Sequence, residues 1–245
     1  MERKAFLKNG IMAALGLAAV TPLVGSCNKS DLTETTESGT GSGTDGGTSS
    51  GSCSISPTET AGPFPTKSPS SLITNDIRSD RTGVPFSIKV IVNNRNNNCA
   101  ALAGAIVDIW HCDKDGYYSE YGGTGMQSAN FQSVHFLRGR QTSDASGIVT
   151  FTSIFPGWYS GRAPHIHVHI YDASGTSLLV TQIAFPTDVC NTVYTTATNY
   201  YTRGVQDTSN ARDNVFADSL ASELATVTGS IASGYTLTHL ITVAA

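Results

Sequence analysis

The chain has 245 residues and a net charge of −4 at pH 7, and only 14% of its residues are charged. This length suits a single all-β domain or two small domains. No basic run is long enough to suggest nucleic acid as a partner, and no segment after the N-terminus is apolar enough to span a bilayer. Few charges together with abundant Gly, Ser, Thr and Asn are typical of an exported, loop-rich β protein.

The N-terminus has the pattern of an export signal. A basic start, MERKAFLKNG, precedes the apolar run IMAALGLAAVTPLV, which is too short to span a membrane comfortably. The next residues, VGSC, favour a lipoprotein signal over residues 1–27, cleaved before Cys27, which would carry the lipid. Ordinary signal cleavage nearby is the alternative, and RKAFLK resembles a twin-arginine motif with one arginine replaced by lysine. We therefore predict an exported protein, anchored in the bacterial cell envelope and touching the membrane only through its lipid.

A low-complexity segment follows at residues 28–52. It includes TETTESGTGSGTDGGTSSGS, a Gly/Ser/Thr-rich stretch that cannot bury a core and is predicted to act as a flexible tether. The sequence thus predicts a signal over 1–27, a linker over 28–52 and one folded domain over 53–245.

Four cysteines lie after this linker: Cys53, Cys99, Cys112 and Cys190. In an exported protein an even count predicts two disulfides, and the sequence does not choose among the three ways of pairing them. Metal binding is the alternative. It is disfavoured because there is no CxxC pair and the spacings are wide.

Short runs of alternating apolar residues fill the rest of the chain. Six of them, in order, are PFSIKVIVN, LAGAIVDIWHC, GIVTFTSIF, PHIHVHIYD, SLLVTQIAF and YTLTHLITV. Such runs, separated by turn residues, predict an all-β fold, a β-sandwich with little helix. One helix is predicted near residues 214–225. Long loops are predicted at 56–85, 113–132 and 187–212, where sites on β scaffolds commonly lie.

Three of the six histidines, His165, His167 and His169, stand on alternate residues of PHIHVHIYD. Alternate side chains of a strand share one face, so these three project together. Two neighbouring members can bind one metal ion, whereas the third usually lies too far along the strand. The spacing alone leaves a merely polar face of a sheet as an open alternative.

The segment PGWYSGRAPHIHVHI, residues 156–170, resembles the signature of the intradiol ring-cleavage dioxygenases, the family of catechol 1,2-dioxygenase and protocatechuate 3,4-dioxygenase. Four further blocks resemble that family in the same order: ETAGPFP, VDIWHCDKDGYYSEY, FLRGRQTSDASGIVTFTSIFPGWY and TQIAF. Together they cover most of residues 58–185. The likeness is greatest to small, exported, single-chain members, and it implies their β-sandwich with long active-site loops.

The resemblance also implies a set of site residues. A ferric ion, Fe³⁺, would be held by two tyrosines and two histidines, and ferric iron prefers anionic oxygen donors while accepting imidazole. Arginine would stabilise negative charge on the substrate, glutamine would shape the pocket, and the second tyrosine would also act as a base. His169 is interpreted as a polar residue outside the ligand set. The implied metal ligands are Tyr118, Tyr159, His165 and His167, and the implied catalytic residues are Tyr159, Arg162 and Gln182.

The implied reaction is cleavage of a catechol-type diol by O₂, between its two hydroxyl-bearing carbons, to a cis,cis-muconate-type dicarboxylate. One departure affects the substrate. Only SGRAP separates Tyr159 from His165, where many relatives have a longer loop, so substrate specificity does not carry over. Arg138 and Arg140 are interpreted either as contacts for a substrate carboxylate or as braces for their own strand.

Two other functions are compatible with parts of the sequence. The first is a non-catalytic, tethered β-sandwich that binds glycans or phenolics, against which the intact tyrosine and histidine set argues. The second is a zinc hydrolase built on His165, His167 and His169, for which the nearby carboxylate, Asp172, falls on the opposite face of the strand. A homo-oligomer also stays open, because many relatives are dimers or larger.

Overall fold

The computed structural model describes residues 53–245. The predicted signal at 1–27 and linker at 28–52 lie outside this range. None of the helices within residues 53–245 is both long and apolar enough to cross a membrane. The described elements are β1 (Pro85–Asn94), β2 (Ala100–Ala101), β3 (Ile106–Trp110), β4 (Arg138–Thr142), β5 (Ile148–Ile154), β6 (His165–Tyr171), β7 (Ser177–Ala184), α1 (Thr187–Thr196), α2 (Leu220–Glu223), β8 (Thr226–Ser230) and β9 (Gly234–Val243).

The strands form two sheets. One sheet has the order β4-β3-β6-β7 and is antiparallel throughout. In the other, β1 pairs in parallel with β9 and antiparallel with β5 and β2, and β8 lies antiparallel beside β9. The prediction of an all-β sandwich with little helix is confirmed.

Apolar residues from both sheets form one core. Ile88 of β1, Phe151 of β5 and Ile166 of β6 are all fully buried in it. On β6 the residues on either side of Ile166 are His165 and His167. Their side chains point to the opposite face of the sheet and are buried as well. Because a sheet face without cover would be solvated, loops must close over this second face, and that is where the candidate site lies.

The helices differ from the prediction. Of the helix predicted at residues 214–225, only α2 forms. Residues 214–219 are turns, and α2 ends where the chain becomes extended at Leu224, which bridges to Ala184. The longer helix, α1, occupies part of the loop predicted at 187–212. It buries Cys190, Val193 and Tyr194 on one face, the i, i+3, i+4 spacing of an amphipathic helix.

The prediction of two disulfides is wrong for the described residues. Cys53 and Cys99 are bonded, whereas Cys112 and Cys190 are buried free thiols. Cys112 packs beside Trp110 and Tyr118 behind β3, and Cys190 is buried in α1, so the two are held by different elements. Burial raises the pKa of both thiols, which keeps them protonated and unreactive.

Replacing Cys53 by serine should destabilise the domain. The bond closes a loop with a sequence separation of 46 residues. Freeing such a loop in the unfolded chain costs about 2–4 kcal/mol of stability. Urea unfolding should show this loss, and dithiothreitol should reproduce it in the parent protein while leaving Cys53→Ser unaffected. Equal midpoints for the variant and the oxidised parent would contradict the prediction.

Candidate metal centre

The four residues predicted as metal ligands come together on the second face of β6. Tyr118 lies in the loop after β3, Tyr159 lies in the turn between β5 and β6, and His165 and His167 lie on β6 itself. The Nε2 atoms of the two histidines are 3.2 Å apart, and the Tyr118 hydroxyl is 3.3 Å from His165 Nε2. The Tyr159 ring packs 5.8 Å from that of Tyr118 and 5.5 Å from that of His165, measured between centroids.

The two imidazoles are oriented and neutral. His165 Nδ1 lies 2.6 Å from the carbonyl oxygen of Ala163, so Nδ1 carries the proton and Nε2 offers a lone pair. The Trp110 indole stacks on His167 at 4.9 Å with an interplanar angle of 2°. Burial lowers the pKa of His165 to about 3 and that of His167 well below its usual value. Both rings are therefore uncharged at neutral pH, the state in which imidazole binds metal.

The two phenols are buried to different extents. Tyr118 is fully buried, and burial, followed by the nearby Tyr159, raises its pKa well above the usual value. Burial also raises the pKa of Tyr159, which is only partly exposed to solvent. A buried phenol stays protonated unless a cation compensates the charge of the phenolate. This pocket therefore favours phenolate only when a cation is bound within it.

Three of the four donor atoms are spaced as around a single small cation. Ligand bonds of about 2.0–2.1 Å at near-right angles place neighbouring donors about 3 Å apart. The distances of 3.2 and 3.3 Å among His165, His167 and Tyr118 match this spacing. Two phenol oxygens with two imidazole nitrogens suit a hard, highly charged ion such as Fe³⁺.

His169 lies outside the centre, as predicted from the resemblance. Its ring nitrogens bond to the hydroxyl groups of Ser177 and Tyr171, both at 2.8 Å. Within residues 53–245, no group of three or more His, Cys, Asp or Glu side chains is arranged to hold a metal ion. The three-histidine zinc site considered as an alternative is therefore not formed.

The segment before β1 covers the centre, which the sequence did not reveal. Gly62 has a φ of +68°, and a Cβ there would lie 2.9 Å from His167 Cε1. Phe64 stacks on Tyr118 at 4.9 Å. The glycine is needed for the chain to pass this close to the imidazole, because a side chain would displace the ring.

Arg162 and Gln182 lie together beside Tyr159. Arg162 donates from Nη2 to Gln182 Oε1 at 2.7 Å and from Nη1 to the Tyr159 hydroxyl at 3.4 Å. Gln182 is fully buried, and its Nε2 donates to the carbonyl oxygen of Thr60 at 2.8 Å. The predicted pair therefore links β7, the turn that carries Tyr159 and the covering segment.

Asp213 holds this pair in place and was missed by the sequence analysis. It is fully buried, and its oxygens accept from Arg162 Nε at 2.8 and 3.0 Å and from the backbone N–H of Ala163 at 2.7 Å. The two charged residues are separated by 51 positions in the chain. No local motif connects them, so only the folded chain reveals the pairing.

Arg138 and Arg140 use their guanidinium groups to hold neighbouring loops and strands of the protein. Arg138 is buried and donates to the carbonyl oxygens of Phe64 and Ser119, at 2.9 and 2.6 Å, and to the Ser119 hydroxyl at 2.8 Å. Arg140 forms a bidentate pair with Asp108 at 2.6 and 2.7 Å. Of the two roles considered, the structure supports bracing, because both guanidinium groups are occupied by the protein.

Comparison with known proteins gives consistent matches. Residues 62–218 match a family model described as Dioxygenase. A chlorocatechol 1,2-dioxygenase of Rhodococcus opacus is 30% identical in an alignment of 113 positions, and the match covers 38% of this chain and 41% of that protein. The aligned part is thus less than half of that curated relative.

Solved structures resemble the chain over a larger share. An intradiol ring-cleavage dioxygenase from Tetranychus urticae is 26% identical, with a TM-score of 0.69, covering 78% of this chain and 95% of the other. The dioxygenase domain of a dioxygenase carbohydrate-binding protein fusion from Streptomyces sp. SirexAA-E is 24% identical, with a TM-score of 0.55, covering 78% and 99%. The second likeness shows the fold alone.

Proposed function

The chain belongs to the intradiol ring-cleavage dioxygenase family, and from this premise we propose that it cleaves a catechol-type diol with O₂ to a cis,cis-muconate-type dicarboxylate, using a bound Fe³⁺. The observation that carries the proposal is the meeting of two phenols and two imidazoles in one buried pocket. His165 Nε2 stands 3.2 Å from His167 Nε2 and 3.3 Å from the Tyr118 hydroxyl.

Four residues would hold the iron: Tyr118, Tyr159, His165 and His167. When bound, the ion would draw electron density from a coordinated catecholate and make its ring reactive towards O₂. The protein supplies the dry, fixed pocket in which this occurs. His165 is oriented by its hydrogen bond to the Ala163 carbonyl, and the stacked Trp110 ring fixes the plane of the His167 imidazole.

Tyr159 is placed to accept a proton from the substrate. It is the only one of the four proposed ligands that is partly exposed, and its hydroxyl faces Arg162 at 3.4 Å. As a phenolate, its oxygen would take up a proton from a catechol hydroxyl. Arg162 would then stabilise negative charge on the substrate, and Gln182 would orient that guanidinium through their 2.7 Å hydrogen bond.

We also propose that the protein works outside the cytoplasm, anchored in the cell envelope through a lipid on Cys27. The Cys53–Cys99 disulfide supports an oxidising compartment. The linker predicted at residues 28–52 would then hold the dioxygenase domain away from the membrane. Palmitate labelling of the parent and of Cys27→Ala tests the anchor. Equal labelling of the two would contradict it.

The function is tested by oxygen uptake. Purified, iron-loaded protein should be red-brown, since ferric phenolate centres absorb visible light, and it should consume O₂ with one or more of a panel of catechols. Product spectra should show a muconate-type dicarboxylate. A colourless, iron-free protein that consumes no O₂ with any of them would favour the tethered binding module.

Asp213→Asn should lower kcat/KM about 10- to 100-fold. This loss is smaller than that expected when a group that stabilises substrate charge is removed, because Arg162 itself is kept. The amide keeps the shape of the carboxylate but removes the charge that fixes Arg162 Nε at 2.8 Å. The visible colour should be retained, because the proposed iron ligands are unchanged. Asp188→Asn, at an exposed position of α1, is the control and should behave as the parent. Parent-like turnover by Asp213→Asn would show that the carboxylate does not position Arg162.

A further inference from the structure

A cleft of about 440 Å³ opens beside Tyr159. Tyr117, Ser160 and Arg203 give it polar walls, and Met126, with 70% of its surface exposed, adds an apolar one. Tyr159 lines the cleft and also belongs to the candidate metal centre. A substrate held at the centre would therefore have this cleft within reach of its ring substituents.

Arg203 is fixed in this cleft with unused donors. Its guanidinium lies 4.0 Å over the Trp158 ring, and Nη1 donates to the carbonyl oxygens of Asp115, at 3.0 Å, and Trp158. Within residues 53–245 its Nε and Nη2 atoms make no hydrogen bond, and no carboxylate forms an ion pair with it within 4 Å. The planar group is thus oriented by its stacking while one of its edges is left free for a ligand.

The carboxylates near the cleft already have partners. Asp115 pairs with Lys114 at 2.7 Å. Asp207 accepts from the Ser160 hydroxyl at 2.5 Å and from the backbone N–H of Gly161 at 3.1 Å. The charge of Arg203 also acts on the Asp207 carboxylate, but none of the ion pairs among the described residues involves Arg203, so its free edge can still accept a bound anion.

The other arginines around the centre are occupied. Arg138 and Arg140 are held by the acceptors described above, and Arg162, which would stabilise charge on the diol itself, is held by Asp213 and Gln182 beside Tyr159. Resting on the proposed function, we propose that the cleft is a subsite for a carboxylate carried on an alkyl chain of the substrate. Arg203 binds the carboxylate and Met126 packs against the chain, so the preferred diols are catechols with an anionic side chain.

The test compares two diols of similar shape. Dihydrocaffeate carries a propanoate chain, and 4-propylcatechol carries a neutral chain of the same length. Iron-loaded parent protein should show a kcat/KM for dihydrocaffeate about tenfold above that for 4-propylcatechol, as expected of one charge-assisted contact. In Arg203→Gln this ratio should fall to near one, and in Arg95→Gln, at an exposed turn between β1 and β2, it should stay at the parent value.

Two measurements on the parent make the test independent of how the variant folds. Raising the ionic strength to 1 M, where the Debye length is about 3 Å, should reduce the ratio. Calorimetric titration with 3-phenylpropanoate, which lacks the diol, should show binding that Arg203→Gln weakens about tenfold. Cleavage of both diols with a ratio insensitive to salt and to Arg203→Gln overturns the subsite alone. If the parent protein cleaves neither diol, the proposed function is contradicted. Equal binding of 3-phenylpropanoate by the parent and by Arg203→Gln then overturns the subsite as well.

Discussion

His167→Ala should lose both bound iron and ring cleavage. The Nε2 atom of His167 lies 3.2 Å from His165 Nε2, which in turn lies 3.3 Å from the Tyr118 hydroxyl. The variant would remove one of these three proposed donor atoms, and alanine offers no atom to replace it. Loss of a residue that merely supports a metal ligand costs roughly 10- to 100-fold in affinity or activity, so loss of the ligand itself should cost more. Iron content after dialysis, visible absorbance and oxygen uptake measure the effect.

His169→Ala is the matched control for this change. It removes the same side chain two residues along β6, from the same face of the sheet. His169 is half-buried and bonds to Ser177 and Tyr171 outside the centre, so iron content and colour should equal those of the parent. Iron retained by His167→Ala, or lost equally by both variants, would contradict the proposed ligand set.

Arg138→Gln should lower the free energy of unfolding by about 3–5 kcal/mol, the cost of breaking a buried charged network. Arg138 is 1% exposed and serves carbonyl oxygens of two loops, at Phe64 and Ser119. Its Nε also lies 3.7 Å from the buried carboxylate of Glu120. A shorter, neutral side chain would leave these carbonyls without donors, and Glu120 would keep only the backbone N–H of Lys67 and the His135 ring as partners.

Arg78→Gln is the comparison for this second prediction. Arg78 pairs with Asp76 at 2.7 Å, and both side chains are about half exposed. A pair of this kind contributes about 0–1 kcal/mol. Urea unfolding of both variants should therefore separate them by at least about 2 kcal/mol. Equal stabilities would mean that water enters and satisfies the groups around Arg138.

The sequence predicted those parts of the fold that depend on local pattern. Alternation placed β1 and β6 correctly, because apolar residues on every second position have only one way to face a core. It also placed His165 and His167 on a common face. The choice of Tyr118 over Tyr117 as a ligand came from the family motif and stays a prediction; in the structure the Tyr118 hydroxyl lies 3.3 Å from His165 Nε2.

Features that depend on distant residues escaped prediction. The Arg162–Asp213 pair joins residues far apart in the chain, and Gly62 matters only because His167 folds beneath it. Cys53 pairs with Cys99 because the fold brings the start of the domain to the turn before β2, and the spacing of the cysteines in the sequence does not encode that contact. Helix α1 escaped prediction because it is only ten residues long and four of them are threonine, a weak helix former.

The cover over the centre has a consequence for how the domain is delimited. Residues 59–67 belong to neither sheet, yet Thr60 binds Gln182, Gly62 lies against His167 and Phe64 lies against Tyr118. A chain that began at β1 would keep every strand but would uncover the His167 imidazole and the Tyr118 ring. The catalytic domain therefore has to include residues 59–67, which lie between the predicted linker and β1.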